Sequence, residues 1–243
     1  MSARLAVGRT VRSEAIVLRS VDFAEADRIV TLLAKDLGKL AVIARSARKS
    51  QKRFGGALEP FAVLTAEVAL GRGEVSRLAS ASLIRPFPSI LGTLAKMQAG
   101  GRALELVRDA LPNGPVDARI FDVCVALFEM LDAAATVREE HELAFIVRLA
   151  SLLGFAPRVD RCVQCGATAP EAKAALFDAQ RSAIVCRACG GAPIKLSGAT
   201  RRILAALGTA GWTDLAHSAW PSAAREEVRR VADGLIAFHL VRS

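Results

Sequence analysis

Aromatic side chains and long apolar runs are scarce in this sequence, and each absence excludes a class of protein. Among 243 residues there are no tyrosines, two tryptophans and three histidines. No window approaches about 18 consecutive apolar residues, so we expect no membrane-spanning helix. The first ten residues contain two arginines but no apolar core, which argues against a secretory signal. We therefore expect a cytoplasmic protein.

The common motifs of catalysis are missing as well. The only Gly-Lys pair, Gly38-Lys39, is followed by Leu40, so the sequence has no phosphate-binding P-loop. His141-Glu142 lacks the second histidine of a zinc protease, and no His-x-Glu accompanies the cysteine pairs as in a zinc deaminase. We expect His141 to be solvated near a helix start and His239 to pack against its neighbours. The sequence thus predicts a protein that is not an enzyme.

Positive charge is in excess and is concentrated near the N-terminus. The formal net charge is +9, while hydrophobic residues make up 52% of the chain, enough to bury a core and to exclude overall disorder. Residues 1–56 hold 12 Lys and Arg against 5 Asp and Glu. The densest part has no acid between its cations, which are Lys39, Arg45, Arg48, Lys49, Lys52 and Arg53. Such cations repel one another and favour binding to a phosphate backbone; the alternative is a solvated loop without a partner.

The first third of the chain predicts a small β-barrel. Five strand-like segments with turn residues between them follow one another: residues 15–18, 28–33, 39–44, 62–69 and 75–84. Gly38 can take the positive φ of a tight turn, so we expect the second and third segments to form a hairpin. Five strands in about 75 residues fit the OB-fold, a barrel that often binds oligonucleotides.

Helical periodicity replaces the strand pattern after Pro88. Apolar spacings of three and four predict helices from Ser89 to Pro112, over 116–135, over 139–153 and within 197–243, where Ser197 and Ser222 are candidate N-caps. The expected fold class is α+β, with an N-terminal five-stranded OB-fold barrel followed by a helical domain carrying a four-cysteine zinc finger. The expected domains are 1–86 (OB-fold, DNA-binding), 87–157 (helical bundle), 158–195 (zinc finger) and 196–243 (C-terminal helices packing on the helical domain).

Four of the five cysteines form two motifs, Cys162-Val-Gln-Cys165-Gly166 and Cys186-Arg-Ala-Cys189-Gly190. Each spacing lets a tight turn aim two sulfurs at one point, and 20 residues separate the pairs, as in facing zinc knuckles. Four thiolates leave no open coordination position, so the expected cofactor is structural Zn²⁺. The alternatives are two disulfides, which a cytoplasmic protein disfavours, and a redox switch. Cys124, on an apolar helix face, is expected to be a buried core residue.

Five segments of the N-terminal region carry a recognisable signature. They are Ser20–Leu33, Gly38–Arg45, Ala47–Ser50, Arg53-Phe54 and Leu58–Phe61. These segments resemble the bacterial recombination mediator family RecO, and the later order of helices, four-cysteine knuckle and C-terminal helices matches that family over essentially the whole chain. The resemblance implies an OB-fold, a zinc-bearing helical body and no enzymatic active site. It also implies a nucleoid-associated role in DNA repair by the RecF pathway: annealing strands coated by single-strand-binding protein and helping RecA load with RecR.

The resemblance also implies particular site residues. The cations from Lys39 to Arg53 stand where the family concentrates DNA-contacting side chains. The residues themselves, apart from the resemblance, make Phe54 beside Arg53 the candidate to stack on a base, whereas Phe61 after Pro60 is expected in the core. The four paired cysteines match the metal positions. The implied partners are single- and double-stranded DNA, bound independently of sequence, RecR, RecA indirectly, and the acidic tail of single-strand-binding protein, for which Arg201 and Arg202 are candidates.

Two other functions remain open at this point. A zinc-ribbon protein with an OB barrel could bind RNA or act in transcription, and competition between matched DNA and RNA strands separates it from a DNA-binding mediator. A redox-regulated protein could use the thiols as a switch, in which case mild peroxide should release the zinc and change DNA binding.

Overall fold

The computed structural model describes residues 9–71, 73, 75–209 and 211–241, except for the side chain of Gln51. The chain divides into two compact units, Met1–Ala133 and Ala134–Ser243. Their boundary falls inside the segment 87–157 that we expected to be one helical domain. Among the described residues, no helix has both the length and the apolarity needed to cross a membrane.

The first unit contains a closed five-stranded barrel. Its strands are β1 (Thr10–Phe23), β2 (Asp27–Ala34), β3 (Gly38–Ala44), β4 (Ala62–Ala69) and β5 (Val75–Pro86), in the order β1-β2-β3-β5-β4. The β3–β5 pair is parallel and closes the barrel, while the other neighbours are antiparallel. This arrangement confirms the predicted OB-fold, and all five predicted strands exist.

The barrel core comes from every strand. Its buried apolar side chains include Ala15, Val17, Val30, Leu32, Val42, Leu64, Val68 and Leu78. β1 is much longer than the predicted residues 15–18. The prediction missed both ends of the strand because most residues there are exposed or half-buried and form no apolar run. Gly38 has φ +73°, and a Cβ there would lie 2.1 Å from the carbonyl oxygen of Gly114, so the β2–β3 turn requires glycine.

Among the residues that the structure describes, four helices complete the first unit: α1 (Gln51–Phe54), α2 (Pro88–Leu91), α3 (Leu94–Ala110) and α4 (Arg119–Ala133). The continuous helix predicted from Ser89 is interrupted at Gly92 and Thr93. Thr93 is the N-cap of α3, because its extended backbone ends the previous turn and its Oγ1 accepts a hydrogen bond from the backbone N–H of Lys96. Ser89 lies inside α2 and does not cap it.

The second unit combines helices with a small sheet. It contains α5 (Glu139–Ala150), a π-helical turn (Ser151–Phe155), strands β6 (Ala175–Asp178), β7 (Ala183–Ile184) and β8 (Ile194–Leu196) in the order β7-β6-β8, then α6 (Gly198–Leu207), α7 (Trp212–His217) and α8 (Ser222–Leu235). Ser197 caps α6 as predicted, since its Oγ accepts from the N–H of Thr200. Ser222 is instead the first residue of α8, and Pro221 precedes it. The helices α6, α7 and α8 pack on α5.

Candidate nucleic-acid interface and metal centre

The segment Arg45–Arg53, called the basic segment below, links β3 to β4 and exposes five cations. Arg45, Arg48, Lys49, Lys52 and Arg53 all have exposed side chains. Within the described residues, no carboxylate oxygen lies within 4.0 Å of the charged groups of Arg45, Lys49 or Lys52. These cations are therefore available to an external anion.

Hydrogen bonds hold the basic segment against the β1–β2 turn. The backbone N–H of Arg48 donates to the carbonyl oxygen of Ala26 (3.1 Å), and that of Ser46 donates to Oδ1 of Asp27 (2.7 Å). Within the segment, the guanidinium of Arg53 donates to the carbonyl oxygen of Arg45 (2.9 Å). The cations consequently share one small surface instead of being spread along a free loop.

Acidic side chains beside this surface are largely engaged by one arginine. Arg28 on β2 contacts Glu59 at 3.0 Å and Asp22 at 3.1 Å, and these hydrogen bonds, that of Glu59 first, raise the pKa of Arg28. Arg48 lies 3.9 Å from Asp22. Exposed pairs of this kind contribute about 0–1 kcal/mol, so a phosphate can compete for Arg48.

Lys39, the first cation of the predicted run, does not belong to this surface. Its side chain is buried, and its Nζ donates to the carbonyl oxygens of Arg108 (2.6 Å) and Leu111 at the C-terminal end of α3. The backbone of Lys39 also exchanges two hydrogen bonds with Gly114. Lys39 therefore neutralises a helix C-terminus, and the prediction that it contacts DNA is wrong.

The four paired cysteines converge on one point in the second unit. The sulfur atoms of Cys162, Cys165, Cys186 and Cys189 all lie within 4.8 Å of one another, a spacing that a single metal ion can bridge. Gly166 (φ +73°) follows the first pair and Gly190 (φ +100°) the second, so each knuckle closes through a left-handed glycine.

Backbone N–H groups turn toward the sulfurs, as the knuckle geometry requires. The N–H of Cys186 donates to the sulfur of Cys162 (3.4 Å), and this bond, together with that of Cys165, lowers the pKa of Cys162 to about 6. Four thiolates this close repel one another unless a cation lies between them. A set of four sulfurs with no carboxylate fits a soft divalent ion such as zinc and leaves no coordination position for a substrate.

Comparisons with known proteins cover almost the whole chain. Residues 9–87 match the family model "Recombination protein O N terminal" and residues 91–243 match "Recombination protein O C terminal". The chain belongs to the RecO family. A relative named DNA repair protein RecO from Geobacter sulfurreducens is 37% identical, over 96% of this chain and 93% of its own length. Relatives of the same name are 36% identical in Anaeromyxobacter dehalogenans (96% and 92%) and 37% identical in Anaeromyxobacter sp. strain Fw109-5 (93% and 90%).

The aromatic residue expected to stack on a base in this RecO-family chain is in the wrong place for it. Phe54 is 2% exposed and belongs to the barrel core, where the guanidinium of Arg53 lies over its ring at 5.1 Å. Phe61 is buried against Phe128, as predicted for a core residue. Phe23, at the end of β1, is the exposed phenylalanine of the barrel. A sequence signal for Phe23 existed: Arg19, Val21 and Phe23 occupy alternate positions of one strand and therefore share a face, and the charged Arg19 indicates that this face points to solvent.

Arg201 is also unavailable to a partner's acidic tail. It is buried and donates to the carbonyl oxygens of Val159 (2.8 Å), Ala169 (2.8 Å), Pro170 (2.6 Å) and Lys173 (2.9 Å). Its role is to fasten the loop around the first knuckle to α6, so this prediction is wrong. The neighbouring Arg202 is exposed.

Two histidines and the fifth cysteine fall outside both sites. His141 is buried, contrary to the prediction, and burial followed by the nearby His217 and Arg138 lowers its pKa. His239 stacks on Phe155 with ring centroids 4.1 Å apart, which confirms its packing role. Cys124 is a buried core residue as predicted, and burial raises its pKa to about 12.

Proposed function

We propose that this RecO-family chain is a non-enzymatic, DNA-binding recombination mediator in DNA repair. In this proposal it anneals complementary strands coated by single-strand-binding protein and assists RecA loading together with RecR. The observation that carries the proposal is the basic segment, five exposed cations held on the surface of an OB barrel in a chain whose relatives are named DNA repair protein RecO.

Electrostatics supplies the proposed mechanism of annealing. Two complementary strands repel each other through their phosphates before their bases can pair. Cations on one small surface neutralise part of both backbones and release condensed counterions, which lowers that repulsion without reading the sequence. Single and double strands both present phosphates, so both should bind to the basic segment.

The four-cysteine centre has a structural part in this proposal. Zn²⁺, when bound, would cross-link the two knuckles through Cys162, Cys165, Cys186 and Cys189 and complete the fold of residues 158–195. Mutually close thiolates, glycine-closed knuckles and the absence of carboxylates among the four ligands support zinc over a harder metal. The site supplies no chemistry to DNA.

The acidic tail of single-strand-binding protein has a candidate site beside the knuckles. A cavity of about 300 Å³ is lined by apolar side chains such as Leu176 and Ile184, with Lys173, Arg187 and Lys195 also in its wall. No acidic side chain of the described residues lines it. An acidic peptide with an apolar end matches both properties. Changing Lys173 and Lys195 to Glu should abolish binding of such a peptide, measured by fluorescence anisotropy. An uncharged peptide of the same length is the control and should not bind the unchanged protein.

The decisive test of DNA binding replaces Arg48, Lys49, Lys52 and Arg53 with Ala in the full chain. If four phosphate contacts are lost, the slope of log K against log salt should flatten by about 2.8, and affinity for a single strand near 0.1 M salt should fall about 600-fold. The matched control removes the same charge from the second unit by changing Arg161, Arg181, Arg202 and Arg230 to Ala. It should keep its slope and its affinity.

Three results would overturn the proposal. Equal losses in both quadruple variants would mean that only net charge matters, and an unchanged affinity in the first would move the site elsewhere. Tighter binding of RNA than of a matched DNA strand would favour an RNA-binding function. Strand annealing in the presence of single-strand-binding protein, measured on a preparation with known zinc content, tests the mediator activity itself.

A further inference from the structure

The outer surface of the barrel carries two rows of side chains that the strand register defines. Val21 pairs with Ile29, Ile29 with Ile43, and Ile43 with Arg77. A second row lies two residues along each strand from the first and comprises Arg19, Thr31, Ala41 and Val75. Residues directly opposite each other in a sheet point to the same face, so each row shares one side of the barrel.

The row of residues between these two rows shows that both of them point away from the barrel core. Val30 and Val42, paired with each other between the two rows, are fully buried in the barrel core. Side chains alternate along a strand, so the rows of Val21 and of Arg19 point outward. An irregularity in β1 between Val17 and Arg19 shifts the pairing there and keeps Val17 inside.

Only part of the outer surface is covered by helices. Toward the β2–β3 turn, the outward-facing Ile16, Leu33 and Lys39 are all buried, and Lys39 contacts the end of α3. Toward the β1–β2 turn the surface is open, with Val21 44%, Phe23 49% and Val75 46% exposed. We call this open part, comprising Val21, Phe23, Ile29, Ile43 and Val75, the apolar strip.

Cations border the apolar strip. Arg19 ends one row at β1, Arg77 ends the other at β5, and neither of these two rows contains an acidic residue. Phe23 pairs with Asp27, whose Oδ1 accepts a hydrogen bond from the backbone N–H of Ser46 in the basic segment. The basic segment adjoins the same end, because its Arg48 N–H donates to the carbonyl oxygen of Ala26 in the turn just after Phe23. An apolar surface between cations is complementary to a chain whose charged backbone and flat apolar groups are both accessible.

We propose that the apolar strip binds the bases of single-stranded DNA, with Phe23 as the stacking residue, and that it makes the barrel prefer single strands to duplex. The inference rests on the proposed function, because the basic segment supplies the phosphate contacts. A duplex hides its base faces, so it can use the cations but not the strip. A single strand can use both, and stacking of one base on an aromatic ring typically strengthens binding by about tenfold.

The test changes Phe23 to Ala in the full chain and measures the affinity for a single strand and for the matching duplex. We expect about a tenfold loss for the single strand, no change for the duplex and an unchanged salt slope, because no phosphate contact is removed. The matched control is Phe238→Ala, which deletes a phenylalanine that is 57% exposed in the second unit. It should leave both affinities as they are.

A second variant keeps the ring and reports on it. Phe23→Trp should retain single-strand affinity, and the fluorescence of the new tryptophan should be quenched by a single strand and not by a duplex. The native Trp212 and Trp220 are both buried, so a change in fluorescence on adding DNA reports on position 23. Equal loss of single-strand and duplex binding in Phe23→Ala, or no quenching in Phe23→Trp, would overturn the inference. The proposed function would survive either result as long as the basic-segment variant loses DNA binding.

Discussion

Arg201 and the basic segment lie in different units and put the same chemistry to opposite uses. Arg201 is buried and gives its hydrogen bonds to four backbone carbonyls of the loop around the first knuckle. The side chains of Arg45, Lys49 and Lys52 are exposed. A buried cation must find acceptors within the protein, because losing its hydration is costly. An exposed cation stays hydrated, and it gains most when a polyanion releases counterions around it.

The place of a cation in the fold therefore decides its role. Lys39 and Lys96 belong with Arg201, since both are buried and both donate to backbone carbonyls, Lys39 at the end of α3 and Lys96 at Asp132. These three residues should govern stability, whereas the basic segment should govern DNA binding.

The largest effect should come from the metal centre. Changing Cys162 to Ser removes one of four ligands, so zinc affinity should collapse and residues 158–195 should lose most of the roughly 10 kcal/mol that a structural zinc site contributes. DNA affinity through the basic segment should persist, because that segment lies in the other unit. Metal analysis, limited proteolysis and DNA titration of one preparation measure all three.

The matched control for the metal prediction is Cys124→Ala. Cys124 is the one cysteine outside the cluster, so this variant should keep its zinc. Full zinc content and unchanged protease resistance in Cys162→Ser would contradict a structural site made of four cysteines. Loss of zinc under mild peroxide with a parallel change in DNA affinity would instead favour redox regulation.

Arg201→Met should have the next largest effect. The substitution keeps an apolar stem but leaves four carbonyl oxygens without their donor, which we expect to cost about 3 kcal/mol of unfolding free energy. Arg202→Met is the neighbouring control, and as an exposed substitution it should change stability by less than about 0.5 kcal/mol. Chemical denaturation of the two variants measures the difference, and similar losses would show that the carbonyl contacts of Arg201 contribute little.

Most of the fold could be predicted from the sequence, because local signals determine it. The five barrel strands follow from β-branched apolar runs between turn residues, and Gly38 marks a hairpin turn that requires a positive φ. The strand ends were missed, as in β1, where the residues from Val21 to Phe23 are exposed and form no continuous apolar run. The cluster of four cysteines, which could hold a metal ion, was predictable because the cysteine spacing is local within each knuckle.

Parts of the binding surface could not be predicted, because contacts between distant residues decide them. Lys39 is buried by the end of α3, which lies about 70 residues further along the chain, and nothing near Lys39 announces it. Arg201 is buried by a loop that precedes it by about 30 to 40 residues. Phe54 looks like an accessible neighbour of Arg53, yet the short helix α1 turns it into the barrel core.

Lys39→Met and Arg45→Met form a pair that divides the predicted run of cations. Lys39→Met leaves the carbonyls of Arg108 and Leu111 without a donor, so it should lower the unfolding free energy by about 2 kcal/mol and leave DNA affinity per folded molecule unchanged. Arg45→Met should do the reverse, with a loss of one phosphate contact that weakens single-strand binding about fivefold near 0.1 M salt. If Lys39→Met weakened DNA binding at full stability, the division between buried and exposed cations would fail.

The smallest effect concerns His141, a buried histidine whose pKa is lowered. Burial, and then the charges of His217 and Arg138, lower the pKa of His141, whose Nδ1 faces the backbone N–H of Arg138 at 3.5 Å. Because the unfolded chain binds this proton more readily, stability should be complete above the ordinary histidine pKa near 6.5 and should decline as the pH falls through and below it. The melting temperature should therefore be a few degrees lower at pH 5.5 than at pH 7.5, a range in which exposed carboxylates stay ionised. His141→Asn keeps a short acceptor but cannot be protonated, so it should lose less across the same range; an equal loss would assign the pH dependence to other groups.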